Sequence, residues 1–311
     1  MKKTLLILGA SGLTGYKTLQ ISKRKFETFG TYNLRAAPDK SLFEVDVSNE
    51  DSLRKAILNI KPDVVLNTTA LHNVDYCETH PDDAFQINKK SVGIMASLCN
   101  IVGARFVHIS TDFVFGGEKR NYTERDIPNP LSVYAKSKLE GEIEAKRCTS
   151  YSVLRTSVVY GWNPLETQHS PSSSGKSVNF ALWVLSNLSK KEKIEIVYDQ
   201  YSSPTLADML AAVAVRIART EKNELYHVSG TSELSRFDFT RRLAMMFGYC
   251  TDLVKPIRSI SFKQVAKRPF NSSLNCTKVQ KDLNYRLLNV DESLAVMRSQ
   301  IEIESPSLLA S

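Results

Sequence analysis

Long apolar runs are missing from this 311-residue chain. A membrane-crossing helix needs about 20 consecutive apolar residues, and every hydrophobic stretch here is broken well short of that, so no span is expected. Lys2-Lys3 followed by Leu5–Leu8 has the charge order of a secretion signal, but the apolar run is too short and leads into a glycine turn. Cysteine is scarce as well. The five thiols, Cys77, Cys99, Cys148, Cys250 and Cys276, are odd in number and show no Cys-x-x-Cys spacing, which argues against a disulfide framework and a zinc site and implies a reducing, cytoplasmic compartment. The five histidines, His72, His80, His108, His169 and His227, share no ligand spacing with acids or thiols, so they are expected to be structural or solvent-facing and no metal is expected. A basic stripe is also absent. The net charge is +8, from 41 Lys and Arg against 33 Asp and Glu, yet the only short clusters are 23–25 and 190–191. Dispersed positive charge of this kind disfavours nucleic acid as a partner and favours small anions.

What the chain does have is alternation. Short, continuous aliphatic runs at 4–8, 28–32, 42–45, 63–67, 105–110 and 152–159 are separated by amphipathic stretches at 13–23, 50–59, 84–100 and 133–146. Strand–helix–strand units of this type build a parallel sheet covered by helices on both faces. The expected fold is therefore α/β, a doubly wound parallel Rossmann sheet with a smaller C-terminal substrate lobe. Residues 1–160 would form the nucleotide-binding domain, completed by parts of 200–230, and 161–311 mainly the substrate-binding lobe. A Ser-, Pro- and Gly-rich loop at 162–176 marks the change of rhythm. Helices are expected beyond it at 178–188, 206–219, 237–247 and 291–301, strands at 194–198 and 225–228, and a fraying tail from Ser305.

Gly9-Ala10-Ser11-Gly12-Leu13-Thr14-Gly15 follows the first apolar run and opens a helical pattern. Glycines at such a strand-to-helix turn let the backbone approach a pyrophosphate, which then sits against N–H groups and the positive end of the helix. At the end of the second strand, an acid would hydrogen-bond both hydroxyls of an NAD ribose. This chain has Asn33 and Arg35 there instead, which favours the 2′-phosphate of NADP(H) over NAD(H). Asp46 and Val47, after the third strand, are placed to meet the adenine edge.

Ser110-Thr111-Asp112 closes the fifth strand, and Tyr134 and Lys138 lie four residues apart in the helical stretch beginning after Pro130. That spacing puts phenol and ammonium on one helix face, where the cation would lower the phenol pKa from about 10. A phenol so tuned can give a proton to a carbonyl oxygen as hydride reaches the carbon, while the Thr111 hydroxyl fixes that oxygen.

These residues resemble those of the extended short-chain dehydrogenase/reductase family, within it the dTDP-4-dehydrorhamnose reductase branch. The likeness is carried by 9–15, 67–70, Val74-Asp75, Ile87-Asn88, 110–115, 134–138, 155–157, 199–201, Pro204-Thr205 and 268–272. It implies NADPH-dependent reduction of the 4-keto group of a nucleotide-activated 6-deoxysugar. Gly9, Ser11, Gly12, Leu13, Gly15, Asn67, Thr68, Ala70, Tyr134 and Lys138 would then contact the cofactor. Thr111, Tyr134 and Lys138 would be catalytic, and Asp75, Thr111, Val158, Arg268 and Asn271 would face the substrate. In that branch Trp follows Arg-Thr-Ser, whereas Val158 stands here, and the loop at 162–176 is longer, so the sugar is left open. The implied partners are a nucleotide sugar and a second copy in a homodimer. Two alternatives stay open. Segments 126–128, Tyr160-Gly161 and 275–278 also resemble the regulatory β subunit of methionine adenosyltransferase, a non-catalytic NADP-binding relative that would partner that enzyme. A nucleotide-sugar epimerase or dehydratase of the same fold is the other.

Overall fold

The computed structural model describes residues 2–34, 42–164, 179–261 and 264–305. The first strand, β1 (Thr4–Leu8), shows how the pattern becomes a layer. Leu5 to Leu8 are fully buried, and successive side chains leave on opposite faces. Leu5 and Ile7 join one core with Leu66 and Val107, while Leu6 and Leu8 join another with Val65, Phe106 and Val153. A strand that must satisfy two cores cannot alternate with polar residues, hence the unbroken aliphatic runs.

Around β1 are β2 (Glu27–Tyr32), β3 (Leu42–Glu44), β4 (Val64–Asn67), β5 (Arg105–Thr111) and β6 (Tyr151–Thr156). With the later strand Glu224–His227 they make a seven-stranded sheet in the order Glu224–His227, β6, β5, β4, β1, β2, β3, and every pairing is parallel. From β1 the chain winds outward in one direction through β2 and β3, then returns to β4 and winds the other way. The C-terminal ends of β1 and β4 thus part at a switch point, where such sheets open a crevice. Helices α1 (Leu13–Ser22) and Ala207–Ile217 lie on one face, and α2 (Glu50–Ile60) and α5 (Ser91–Val102) on the other.

Two expectations need correction. The stretch 84–100 is not one helix: after α3 (Val74–Thr79) come α4 (Pro81–Phe85), a π-helical turn Gln86–Lys90, and α5. The wide turn carries Asn88, whose amide accepts from Leu71 N–H (2.9 Å) and donates to Leu71 O (3.0 Å) and Ser137 Oγ (3.0 Å). Ser137 belongs to α6 (Val133–Ala145), and a Cβ at Gly141 on that helix would collide with Asn88 O. Close helix contact, not local propensity, sets the break. The run 152–159 is likewise interrupted. β6 ends at Thr156, Val158 turns into the left-handed region at φ 41°, and Val159–Tyr160 pairs separately with Thr205–Leu206.

Helices Phe180–Ser189, Ala207–Ile217, Arg236–Met246 and Val290–Glu304 lie within a residue or a few of their expected ranges. The strand Ile194–Val197 pairs in parallel with Val254–Ile257, which no expectation covered. Arg35, positions 165–176 of the Ser-rich loop, and the tail from 306 fall outside the described residues. Among those described, no helix is long and apolar enough to cross a membrane.

Candidate active site

Gly9 closes β1 at φ +85°, a conformation that disfavours any side chain. Its N–H reaches Thr31 Oγ1 (3.1 Å) at the end of β2, and Thr68 Oγ1 donates to Leu8 O (2.8 Å). A Cβ on Gly15 would collide with Gly9 O, so that glycine serves turn-to-helix packing. Gly12 differs: it is exposed, and a Cβ there would meet nothing nearer than Gly9 O at 3.5 Å. It is also the N-cap of α1, with no capping side chain and no acid in the first turn. Free N–H groups, helix dipole and open space over Gly12 fit a pyrophosphate. Ser11 is half-buried beside it and Leu13 is buried. Asn33 is exposed past β2 with no carboxylate near it in sequence. Val47 packs into the sheet core, and the Asp46 carboxylate is engaged by Ser48 N–H (2.9 Å) and Oγ (2.7 Å). Thr68 and Ala70 are half-buried just past β4. Gly9 to Leu13 and Thr68 to Ala70 thus stand at the C-terminal ends of the neighbouring strands β1 and β4, where the open turn fits a dinucleotide phosphate, whereas Val47 is packed in the core and the Asp46 carboxylate is already engaged.

Thr111 ends β5 and Tyr134 and Lys138 project from α6, which Ser132 caps at Ala135 N–H. Helix and sheet are clamped by a buried ion pair: Arg155 of β6 gives Nε (2.8 Å) and Nη2 (2.7 Å) to Glu142 of α6, and Ser110 Oγ donates to the same carboxylate at 2.6 Å. The clamp aims Lys138 inward, where Nζ donates to Ile109 O (2.7 Å) and lies 3.4 Å from His108 Nε2. Burial holds this ammonium down at about 8, although Glu142 works against the shift. The phenol departs from the sequence expectation. Burial pushes Tyr134 above its usual value, Asp112 pushes the same way, and Thr111 only partly opposes them. The phenol is therefore raised where a lowering by Lys138 was expected, and burial is the largest cause.

Two further residues beside this set were missed by the sequence reading. Asp112 is buried; its carboxylate accepts from Thr111 (3.1 Å), Ser157 (2.6 Å) and Ser272 (2.5 Å), joining the ends of β5 and β6 to the segment around Ser272. Burial raises its pKa, with those three hydroxyls opposing. His108 bridges Asn67 and Lys138 and is wholly buried. Position three residues before Thr111 on an inward-facing strand run was the only available signal.

Of the residues expected at the substrate, Asp75 of α3 and Arg268 form a bidentate pair (2.8 and 2.7 Å), which holds the carboxyl below its usual range. Asn271 donates to Glu233 Oε1 (3.0 Å) and accepts from Ser273 N–H (2.9 Å) and Oγ (2.7 Å); Arg120 Nε donates to the same Glu233 oxygen (2.6 Å), and Ser273 Oγ reaches the other one (2.9 Å). Val158 is half-buried beside Ser157, its carbonyl accepting from Thr205 N–H at 3.1 Å. Arg236, also missed, stacks over Phe180 (5.0 Å), with Asp112 and Arg268 close enough to act on it electrostatically. Burial lowers its pKa, and among the described residues its guanidinium makes no ion pair.

The sequence matches the family model described as RmlD substrate binding domain over residues 1–302. It is 32% identical over 270 residues to the dTDP-4-dehydrorhamnose reductase of Escherichia coli (strain K12), covering 83% of this chain and 85% of that one. Over 300 residues it is 30% identical to methionine adenosyltransferase 2 subunit beta of Bos taurus, covering 89% and 82%. The fold is similar to a crystal structure of dTDP-4-dehydrorhamnose reductase from Bacillus anthracis str. Ames in complex with NADP, with a TM-score of 0.85, 25% identity, and 96% and 100% of the two chains covered. A parallel sheet opening at its switch point, a phosphate turn on β1 and a family match along nearly the whole sequence agree: the chain belongs to the RmlD substrate binding domain family, together with the dTDP-4-dehydrorhamnose reductases.

Proposed function

We propose that this chain is an NADPH-dependent reductase of the 4-keto group of a nucleotide-activated 6-deoxysugar. The observation that supports the proposal is that the Thr111 side chain at the end of β5 acts on the Tyr134 phenol, one helical turn before the buried Lys138 on α6. NADPH, when bound, supplies the hydride. Tyr134, whose phenol stays protonated at neutral pH, delivers the proton to the carbonyl oxygen. Thr111 holds that oxygen once its hydroxyl turns from Asp112 to the substrate. Lys138 offers the charge that stabilises the phenolate left behind. Arg268 and Arg236 face the anionic part of the substrate, Asn271 braces that wall through Glu233, and Val158 lines the sugar side.

The sheet with its phosphate turn acts as the cofactor domain (1–160, completed from 200–230), and 161–311 mainly as the substrate lobe. The protein works in the cytoplasm on a nucleotide sugar, as a homodimer. Incubation with NADPH and dTDP-4-dehydrorhamnose should consume NADPH absorbance. Tight NADP(H) binding without turnover of that or any related keto-sugar would replace this reading with the regulatory one favoured by the bovine relative, and co-purification with a methionine adenosyltransferase would establish it. Nicotinamide retained through gel filtration would point to an epimerase or dehydratase instead.

A further inference from the structure

Three groups form a buried chain beneath the catalytic helix: Asn67 at the end of β4, His108 in β5 and Lys138 in α6. Their hydrogen positions follow from what each neighbour is able to do. Thr69 N–H can only donate, so the Asn67 atom 2.9 Å from it is the carbonyl oxygen, which also accepts from Thr69 Oγ1 at 2.6 Å. The other Asn67 atom is then the amide nitrogen, which also can only donate, and it lies 3.1 Å from His108 Nδ1. Nδ1 must accept. A neutral imidazole with Nδ1 as acceptor carries its proton on Nε2, the nitrogen 3.4 Å from Lys138 Nζ.

An ammonium and an N–H therefore face each other inside the protein, an arrangement that is repulsive while Lys138 is charged and becomes a hydrogen bond when it is not. Doubly protonated His108 is excluded by the same geometry, because Nδ1–H would then meet the Asn67 amide. Burial and the adjacent lysine also hold the imidazole well below its usual value. The other titratable groups around Lys138 and Tyr134 are Glu142 on α6, already taken by Arg155 of β6 and Ser110 of β5, with Cys77 of α3 and Asp112 past β5 acting on the phenol.

We propose that His108 is a positioning residue for proton delivery, fixed by Asn67 in the tautomer whose Nε2–H opposes the Lys138 ammonium and so makes that ammonium a stronger acid. After Tyr134 has given its proton to the substrate oxygen, a proton passes from Lys138 Nζ to the phenolate more readily. The neutral amine left behind accepts from Nε2–H, and solvent returns the proton to it.

The tautomer is tested in the wild-type chain, without turnover, by two-bond proton–nitrogen correlation spectra of protein carrying ring-labelled histidine. The His108 resonances should show the Nε2-protonated pattern throughout the neutral range; an Nδ1-protonated ring overturns the proposal. The kinetic arm rests on the reductase reading. His108→Phe keeps a ring of similar size but removes the opposing donor, and Asn67→Asp reverses the tautomer by accepting from Nδ1–H. Both should move the alkaline limb of the kcat profile upward, by roughly tenfold in the acid dissociation constant per pKa unit. A lower kcat with an unmoved limb in both variants, read with folded protein by circular dichroism, leaves His108 a structural residue and refutes the proposal. Failure of the reductase reading looks different: the wild-type chain then oxidises no NADPH with any keto-sugar, while the tautomer measurement still decides the role of His108.

Discussion

Tyr134 and Val158 are the two residues whose local chemistry can be challenged most directly. Tyr134→Phe removes the phenol proposed as proton donor and keeps the ring that meets Phe113 edge-on at 6.1 Å. Turnover should fall by at least about 100-fold, the scale of a lost general acid, while NADPH affinity by fluorescence titration stays within about twofold, because a proton donor contributes little to binding. Retained turnover would remove Tyr134 from its role. Val158 is a β-branched residue at φ 41°, where an L side chain is strained. Left-handed backbone costs a non-glycine residue about 1–2 kcal/mol, so Val158→Gly should leave the fold at least as stable in denaturant titration despite removing a half-buried side chain. The same variant should raise KM for the keto-sugar more than it changes kcat. Marked destabilisation would show that Val158 is held by packing and not against it.

At the scale of elements, α6 matters because it carries both Tyr134 and Lys138, and its seat on the sheet depends on Glu142 and Arg155. These side chains are 1% and 3% exposed. Removing one partner of a buried pair leaves an uncompensated charge, so Glu142→Ala should cost about 3–5 kcal/mol, measured by urea unfolding. Glu142→Gln keeps the shape and the bond from Ser110 and should cost less. If both were neutral, the clamp would not be what seats the helix. The π turn at Gln86–Lys90 belongs to this scale too. It was invisible to periodicity because the residues that force it, Leu71, Ser137 and Gly141, come from other elements.

For the whole molecule, acid stability follows from two buried histidines. Burial holds His227 down at about 3, and His108 well below its usual value, with Arg155 and Lys138 respectively pushing the same way. A base whose folded pKa is depressed binds fewer protons folded than unfolded. Its contribution is therefore fully present above the unfolded value near 6.5 and is lost as pH falls toward the folded value. His227 should cost about 2 kcal/mol between pH 6.5 and 5, seen as a falling Tm, His108 adds a loss of the same sign, and His227→Phe should flatten that slope. An unchanged slope would mean that His227 protonates in the folded state. The Asp75–Arg268 pair, which ties α3 to the segment around Arg268, adds a later step of the same sign: its contribution is present above the ordinary carboxyl range and is lost as pH falls below it.

The sequence by itself determined the parallel sheet, the glycine turn after β1 and the placing of Tyr134 and Lys138 one helical turn apart on α6. Each of these is written in a short window: aliphatic runs buried on both faces, glycines at fixed offsets after β1, and one helical turn. Only the tertiary structure decided what those groups are worth. Asp75 and Arg268 meet across 193 residues, Asp112 and Ser272 across 160, and Asn67 and His108 across 41. No periodicity records such contacts. The phenol's raised pKa has the same origin, since its burial and the carboxylate of Asp112 beside it are set by how α6 packs on β5, and spacing along the helix does not contain that information.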